Sequence, residues 1–380
     1  MPLLRKIVFY IFCAIYLAVC PAIILRMLGF VASPQHHRFV KTGLIYVSSN
    51  PPGANVLIDG NMAHESTPTI IRDLLPGNHQ LCLQLAGYQD WQQTVPVAEK
   101  KATAVENILL LPQQWHIQSL SAVPLKGLTP ITDTSYLLVA QDDTVKNIFV
   151  VNLDKDLEQE TLEDIEPLFP PEFIYRDATM MRYFTIDKSP FVIAHIIVDT
   201  KDKYLWMDLK EKPVHIEDIT DLLPQEPLEL RWEANDDKII YAFYNGYANR
   251  INIKAKAIYP HIADKEIPVD KTLNPTPMAL VKEKTGHDIQ QAFLANNAST
   301  ILFREGNKIF LFDKESLDKP RLTFVVKAQS NSDIYFTEKT GKLYYINPEN
   351  HLLSSVQILY HKPFIPIPIA DPLKLKKLER

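Results

Sequence analysis

Recognisable catalytic motifs are missing from this 380-residue chain. There is no Gly-x-Ser-x-Gly nucleophile elbow, no phosphate-binding Walker loop and no dinucleotide fingerprint. His-Glu-x-x-His does not occur, and the Cys-x-x-Cys spacing of zinc sites is missing. Cysteine itself is scarce, with three in all. Cys13 and Cys20 sit in the apolar N-terminal run, so Cys82 stands alone beyond it and no intrachain disulfide can form there. A basic surplus is also lacking. The first 41 residues hold five basic and no acidic residues, which leaves 35 basic against 45 acidic in the remainder, a net of −10. Such a balance is a poor footprint for nucleic acid, which selects a positive surface. Glycine is sparse too: of 11 in the chain, five (Gly43, Gly53, Gly60, Gly77, Gly87) crowd into one short segment.

Residues 7–25 form a run of 19 without a charge, with Arg5 and Lys6 before it and Arg26 after. At 1.5 Å per residue a helix of this length spans roughly 28 Å, close to the ~30 Å hydrocarbon core of a bilayer. The run therefore reads as a single N-terminal transmembrane anchor within a segment 1–41, and Pro21 would only kink it. Two other readings stay open. Val31-Ala32-Ser33 resembles a signal-peptidase site followed by Pro34, and Leu17-Ala18-Val19-Cys20 resembles a lipoprotein box in which Cys20 would carry lipid. Arg26, Arg38 and Lys41 after the run nearly balance the charges before it, so the positive-inside rule alone leaves the orientation undecided.

The glycine-rich segment alternates apolar and polar residues in Leu44-Ile45-Tyr46-Val47, Ala54-Asn55-Val56-Leu57-Ile58 and Gln80-Leu81-Cys82-Leu83-Gln84-Leu85. Period-2 alternation between Gly, Pro, Asn and Asp predicts half-buried strands in a small β-sandwich. Asp59-Gly60 is a two-residue hairpin turn and Pro76-Gly77-Asn78 a second turn. The ordered set Val47-Ser48-Ser49-Asn50-Pro51-Pro52-Gly53, Ile58-Asp59-Gly60, Thr67-Pro68, Leu75-Pro76-Gly77, Ala86-Gly87-Tyr88 and Trp91 resembles the PEGA domain family. Pro52 stands where the family name implies Glu, which speaks against a charged binding role there. The resemblance implies an extracytoplasmic spacer or adhesion unit without catalysis, over residues 42–113. It also favours export of the bulk of the chain.

Residues 116–362 repeat one unit, a pair of apolar strands joined by a short polar stretch. Its copies are Tyr136-Leu137-Leu138-Val139-Ala140 with 148–153, Phe191-Val192-Ile193-Ala194-His195 with 204–209, and Ile239-Ile240-Tyr241-Ala242-Phe243 with 250–253. Two more follow, Thr300-Ile301-Leu302-Phe303 with 309–313 and Asp333-Ile334-Tyr335-Phe336 with 343–347. Five hairpins without helical periodicity between them predict radial β-repeats. The stretch Leu230-Arg231-Trp232-Glu233-Ala234-Asn235-Asp236-Asp237-Lys238-Ile239 is similar to the strand-turn-strand signature of TolB-like and WD-repeat-like β-propellers. Five or six irregular blades fit the length; an open β-solenoid or two stacked sandwiches fit the same pattern. Residues 363–380 are Pro-rich and then basic, the composition of an extended tail.

No residue is assigned a catalytic, cofactor-binding or metal-ligating role, and no cofactor is expected. His36-His37 lacks further ligands, and His64-Glu65 reads as a solvated turn. Asp154, Asp156, Glu158 and Glu160 begin like a calcium loop, but Gln159 occupies the place of its glycine and Ile165 that of its bidentate Glu. Asp199, Asp202 and Asp208 read as charge neutralised by Lys201 and Lys203, and Asp236-Asp237 as a turn. Trp206, Trp232, Tyr241, Phe243, Tyr244 and Tyr247 are either packing between repeats or a sugar or peptide platform.

The chain as a whole predicts an all-β ectodomain, a PEGA-like β-sandwich plus a β-propeller-like domain, after one N-terminal transmembrane helix. The expected role is non-enzymatic: an inner-membrane, single-pass protein of the bacterial cell envelope that binds or scaffolds protein or cell-wall polysaccharide outside the cytoplasm. The alternatives are a sensor subunit working through a partner, and an extracytoplasmic glycan hydrolase. The sequence leaves the oligomeric state open.

Overall fold

The structure is a computed structural model that describes residues 2–27, 30–33, 38–131, 134–153, 167–185, 189–223, 225–233, 236–245, 247–262, 282, 286, 288–296, 299–313 and 321–360. The clusters His36-His37 and Asp154, Asp156, Glu158 and Glu160 lie outside these residues, as does the tail 363–380. Pro2–Met27 is a helix whose described apolar side chains, among them Phe9, Ile11, Phe12 and Leu17, are exposed. Among the described residues no helix is long and apolar enough to cross a membrane, so the expected anchor stands on the sequence alone. A short hairpin, Phe30–Ser33 with Arg38–Lys41, follows. The chain divides into two units, Met1–Gln114 with Leu359–Arg380, and Trp115–Ile358.

In the first unit the alternating runs become two sheets. Gly43–Asn50 lies between Thr69–Leu74, antiparallel, and Ala102–Leu109, parallel. The second sheet orders Asn61–Ser66, Asn55–Ile58, Gly77–Gln84 and Trp91–Val97 side by side. One face of each is apolar, and Ile45, Val47, Val56, Leu81, Leu83 and Val95 interlock in a single core. This is the expected small β-sandwich. Asp59 and Gly60, with φ of 49° and 80°, adopt the left-handed pair that a two-residue hairpin turn requires. Gly43 serves by close approach: a side chain there would meet the Ala98 carbonyl at 2.6 Å.

The Asp59 turn is tied to the next hairpin by His79. Its Nδ1 lies 2.6 Å from Asp59 Oδ2 and its Nε2 2.7 Å from the Leu75 carbonyl. Both neighbours only accept, so the ring donates from both nitrogens and is held as the cation. Burial opposes that charge, but the Leu75 carbonyl and the Asp59 carboxylate outweigh it and raise the His79 pKa above 6.5. The Gln80 backbone N–H and His79 in turn lower that of Asp59 below 3.8. Residues 359–360 join this unit, with Tyr360 N donating to Asn50 Oδ1 at 2.9 Å.

The second unit consists of five antiparallel sheets taken in chain order. The first is Gly127–Pro130, Tyr136–Ala140 and Ile148–Asn152; the second is Thr179–Thr185, Phe191–Val198, Lys201–Asp208 and His215–Asp218. The third is Glu229–Glu233, Asp236–Tyr244, Tyr247–Asn252 and Ala257–Ile262, and the fourth Gln291–Ala295, Thr300–Glu305, Lys308–Asp313 and Arg321–Lys327. The fifth contains Tyr335–Thr337, Lys342–Ile346 and Leu353–Gln357, and its fourth strand is Ile117–Ser119 from the start of the unit. All five hairpins read from the sequence are antiparallel pairs.

Alternation along each strand feeds two different cores. Leu138 and Ile148 pack with Val192, Ala194, Leu205 and Met207, joining first and second sheets. Leu137, Val139 and Val151, from the opposite face, pack with Tyr335, Tyr344, Ile346 and Leu353 of the fifth. Ile193 and Tyr204 pack with Ile240, Ala242 and Ile251, joining second and third. Between fourth and fifth, Phe293 meets Tyr335 edge-on at 6.3 Å, and a polar link is added. Buried Arg304 donates to the carbonyls of Gly306 (2.7 Å), Gln329 (2.9 Å), Ser330 (2.6 Å) and Ser332.

Two predictions follow from these contacts. Ser121 Oγ accepts from the buried Leu353 N–H at 2.9 Å where the unit's first and last strands meet. Ser121→Ala orphans that donor and is expected to lower stability by about 1–3 kcal/mol in denaturant titration; an unchanged midpoint would refute this role. His79→Gln tests the turn in the first unit. The contribution of a raised histidine pKa is complete below 6.5 and fades as pH rises through the folded value; that of Asp59 is present above 3.8 and fades as pH falls. The stability gap between native chain and variant should be widest from about pH 4 to 6.5 and narrow above it. A gap constant from pH 5 to 9 would show that the ring charge contributes nothing.

Candidate functional site

A concavity lies beside the second sheet. After the first sheet, Leu168 N bonds to the Ile148 carbonyl at 2.9 Å, and Leu168 and Phe169 are buried. These two anchors fix the turn that follows, in which Phe173 N bonds to the Pro170 carbonyl at 3.0 Å. The other wall is the outermost strand of the second sheet, His215–Asp218, registered on Leu205–Asp208. Between them opens a cleft of about 840 Å³. Leu205, Val214 and Ile216 give it an apolar floor continuous with the core between first and second sheets.

Aromatic rings and carboxylates line this cleft. Phe173 packs on Phe169 at 5.0 Å and meets Tyr175 edge-on, at 5.5 Å and 85°. Lys203 Nζ sits 3.0 Å from Asp218 Oδ2 and 5.8 Å from the Tyr175 ring centre. Asp218 Oδ1 also accepts from the backbone and hydroxyl of Thr220. Burial would raise the Asp218 pKa, but the Thr220 bonds and Lys203 overcome it and hold the pKa below the ordinary carboxylate value. Asp218 also raises that of Lys203. Glu211 faces His215 at 3.9 Å. Glu172 is exposed and makes no ion pair among the described residues. Asp218 is thus saturated by donors.

The other candidates disperse. Asp202 does not neutralise Lys203 as the sequence implied: its Oδ1 lies 2.7 Å from His195 Nε2, and Lys203 turns to Asp218. The strand explains this, since successive residues point to opposite faces. Asp208 Oδ1 receives Lys210 N at 2.9 Å and Asp199 occupies a turn with φ of 48°. Asp236 begins a strand, paired with Glu233. Glu65 accepts from Thr69 at 2.8 Å. The aromatics form no single platform. Trp206 stacks on Phe191 at 5.3 Å, Tyr244 on Tyr247 at 5.0 Å, and Tyr241 with Phe243 pack on Ala248; the Trp232 side chain is outside the described residues. Among those residues no group of three potential metal ligands occurs.

One arrangement was not legible beforehand. His195 is buried within an apolar strand, stacked on Tyr204 at 4.7 Å. The hydroxyls of Tyr183, Tyr204 and Tyr244 and the Trp206 Nε1 are buried without a hydrogen-bond partner among the described residues. Burial pushes the Tyr204 hydroxyl up to about 12. An isolated His in a hydrophobic strand gives the sequence reader no signal beyond its own presence.

Comparison with known proteins agrees with the first unit. Residues 42–110 match the PEGA domain family. No curated protein matches the chain. Three solved structures share distant likeness. Hsv2 from Kluyveromyces lactis has 10% identity, covers 59% of this chain and 71% of its own, and gives a TM-score of 0.27. A functionally unknown protein from Desulfotomaculum acetoxidans has 9% identity, coverages of 72% and 76%, and a TM-score of 0.24. The tricorn protease has 10% identity, covers 70% of this chain but 23% of its own, and scores 0.23. None of these scores decides a fold.

The unpartnered Tyr204 hydroxyl gives a test of how dry the second core is. Tyr204→Phe is expected to leave stability unchanged or to raise it by up to about 1 kcal/mol, because an unpaired buried hydroxyl is a burden. A loss above about 1 kcal/mol in denaturant titration would show that ordered water completes the network.

Proposed function

We propose that the protein is a membrane-anchored, non-enzymatic binding or scaffolding protein of the bacterial cell envelope, with its two β units outside the cytoplasm. The observation that carries this reading is the sheet in which Ile117–Ser119 pairs with Leu353–Gln357. Five sheets in chain order, apolar cores joining the first sheet to the second and fifth and the second to the third, and the first strand completing the last sheet support the reading of a five-bladed β-propeller. A propeller is rigid and offers loops and inter-blade grooves for recognition. The PEGA module adds an extracytoplasmic β-sandwich without catalytic equipment. Anchoring is supported by the uncharged run at 7–25. Protein or cell-wall glycan is the partner, and the cleft between Phe173 and His215 is the place to receive it.

A C-terminal epitope tag tests the placement. Protease is expected to remove the tag from spheroplasts while a cytoplasmic marker protein survives. Loss only after lysis would reverse the orientation and make the chain a cytoplasmic scaffold.

A further inference from the structure

We infer that the cleft beside the second sheet docks an extended basic peptide, laid along the free edge of the strand His215–Asp218. The inference rests on the reading of this chain as a binding protein and names the partner class for its cleft. Three features favour a peptide. His215–Asp218 is the outermost strand, paired on one side with Lys201–Asp208 and on the other with no strand among the described residues. Its other edge therefore presents a row of backbone donors and acceptors that an extended chain can match, over roughly 13 Å at 3.3 Å per residue.

Side-chain pockets lie beside that edge. Phe173 and Tyr175 meet at 85°, which brackets a slot for one apolar side chain. A pair of rings so disposed is a poor flat platform for consecutive sugar rings. Ile174, 80% exposed, forms an apolar lip next to them. Charge supplies the sign. Glu172, Glu211 and Asp218 line the cleft against Lys212 alone, and Lys203 offsets Asp218 yet leaves the lip carboxylate Glu172. A peptide alternating apolar and basic residues places one set in the slot and the other at this rim, because successive side chains of a strand face opposite ways.

The full chain in detergent is titrated into a fluorescein-labelled, end-blocked decapeptide of alternating Lys and Val, with binding read by anisotropy. Three further probes accompany it: a twin with Glu for Lys, a twin with every second amide N-methylated, and a β-1,4-linked N-acetylglucosamine tetramer. The Lys–Val peptide is expected to bind. The acidic and N-methylated twins should each bind at least about tenfold more weakly, the second because it keeps charge and side chains but loses the ladder bonds. Glu172→Lys, at an exposed position whose fold is checked by circular dichroism, should weaken the basic peptide about tenfold; Tyr175→Ala should weaken both charge variants. Binding indifferent to N-methylation and to Glu172→Lys would overturn the inference by reducing it to diffuse electrostatics. Tetramer binding lost in Tyr175→Ala, without peptide binding, would overturn it while leaving the binding reading intact. If no probe binds, the inference falls, and tag accessibility alone judges the envelope placement.

Discussion

The second unit depends on a three-residue strand. Ile117–Ser119 pairs with Leu353–Gln357 across more than two hundred residues of intervening chain, and nearby bonds reinforce it: Leu120 N to the Leu353 carbonyl at 2.7 Å and Leu125 N to that of His351 at 2.7 Å. Tyr335 donates to the Thr134 carbonyl at 2.6 Å, and Leu128 N to Ser332 Oγ at 3.1 Å. Loop-closure entropy grows only slowly with length, so a long closure is not prohibitive, but it must be met by contacts made together. Backbone bonds alone are modest. What makes the closure hold is the core behind it, where the first sheet packs its Leu137 and Val139 face against Tyr344 and Leu353.

That core works because each central strand is apolar on both faces. In Tyr136–Ala140 the middle three residues are all buried, Leu138 toward the second sheet and its neighbours toward the fifth. A strand that serves two cores cannot slip by one residue without exchanging every contact. Arg304 solves the same problem differently. Its guanidinium, buried among four carbonyls, carries the link from the fourth sheet to the segment 329–332 through hydrogen bonds. An always-charged fork with five donors is the side chain best able to do this, since loops expose carbonyls that a sheet does not pair.

These two devices also explain what could be read in advance. The central hairpins were legible because doubly buried strands are continuous apolar runs, such as Ile193-Ala194 or Ile301-Leu302-Phe303. The sandwich was legible for another reason: Asp59-Gly60 must turn, and alternation around it assigns the faces. Of the outer strands, Glu229–Glu233 was legible from its aromatic and the Asp turn after it, but the shortest were not. His215–Asp218 and Gly127–Pro130 are four residues each and mixed in polarity. Ile117–Ser119 is three residues long, and its partner is invisible to any local pattern. The cleft went unread for the same cause, since Phe173 and Tyr175 meet Lys203 and Asp218 only through packing of the segment after the first sheet on the second.

Two sets of polar groups around the second sheet contrast with each other. Between the second and third sheets, Tyr204 and Tyr244 bury hydroxyls without partners, beside the His195 and Asp202 pair. Groups held this way lie inside a core that serves cohesion, and their hydroxyls have no exposed surface to offer a ligand. At the rim of the second sheet the reverse holds. Lys203 and Asp218 satisfy each other, while Glu172 and Ile174 remain exposed on the wall of an open cleft. Recognition in general needs groups whose solvation can be exchanged for a partner, and the rim groups are of that kind. The centre of the second unit is thus fixed by closure, while exchangeable polar groups lie at the rim beside the short outermost strand His215–Asp218.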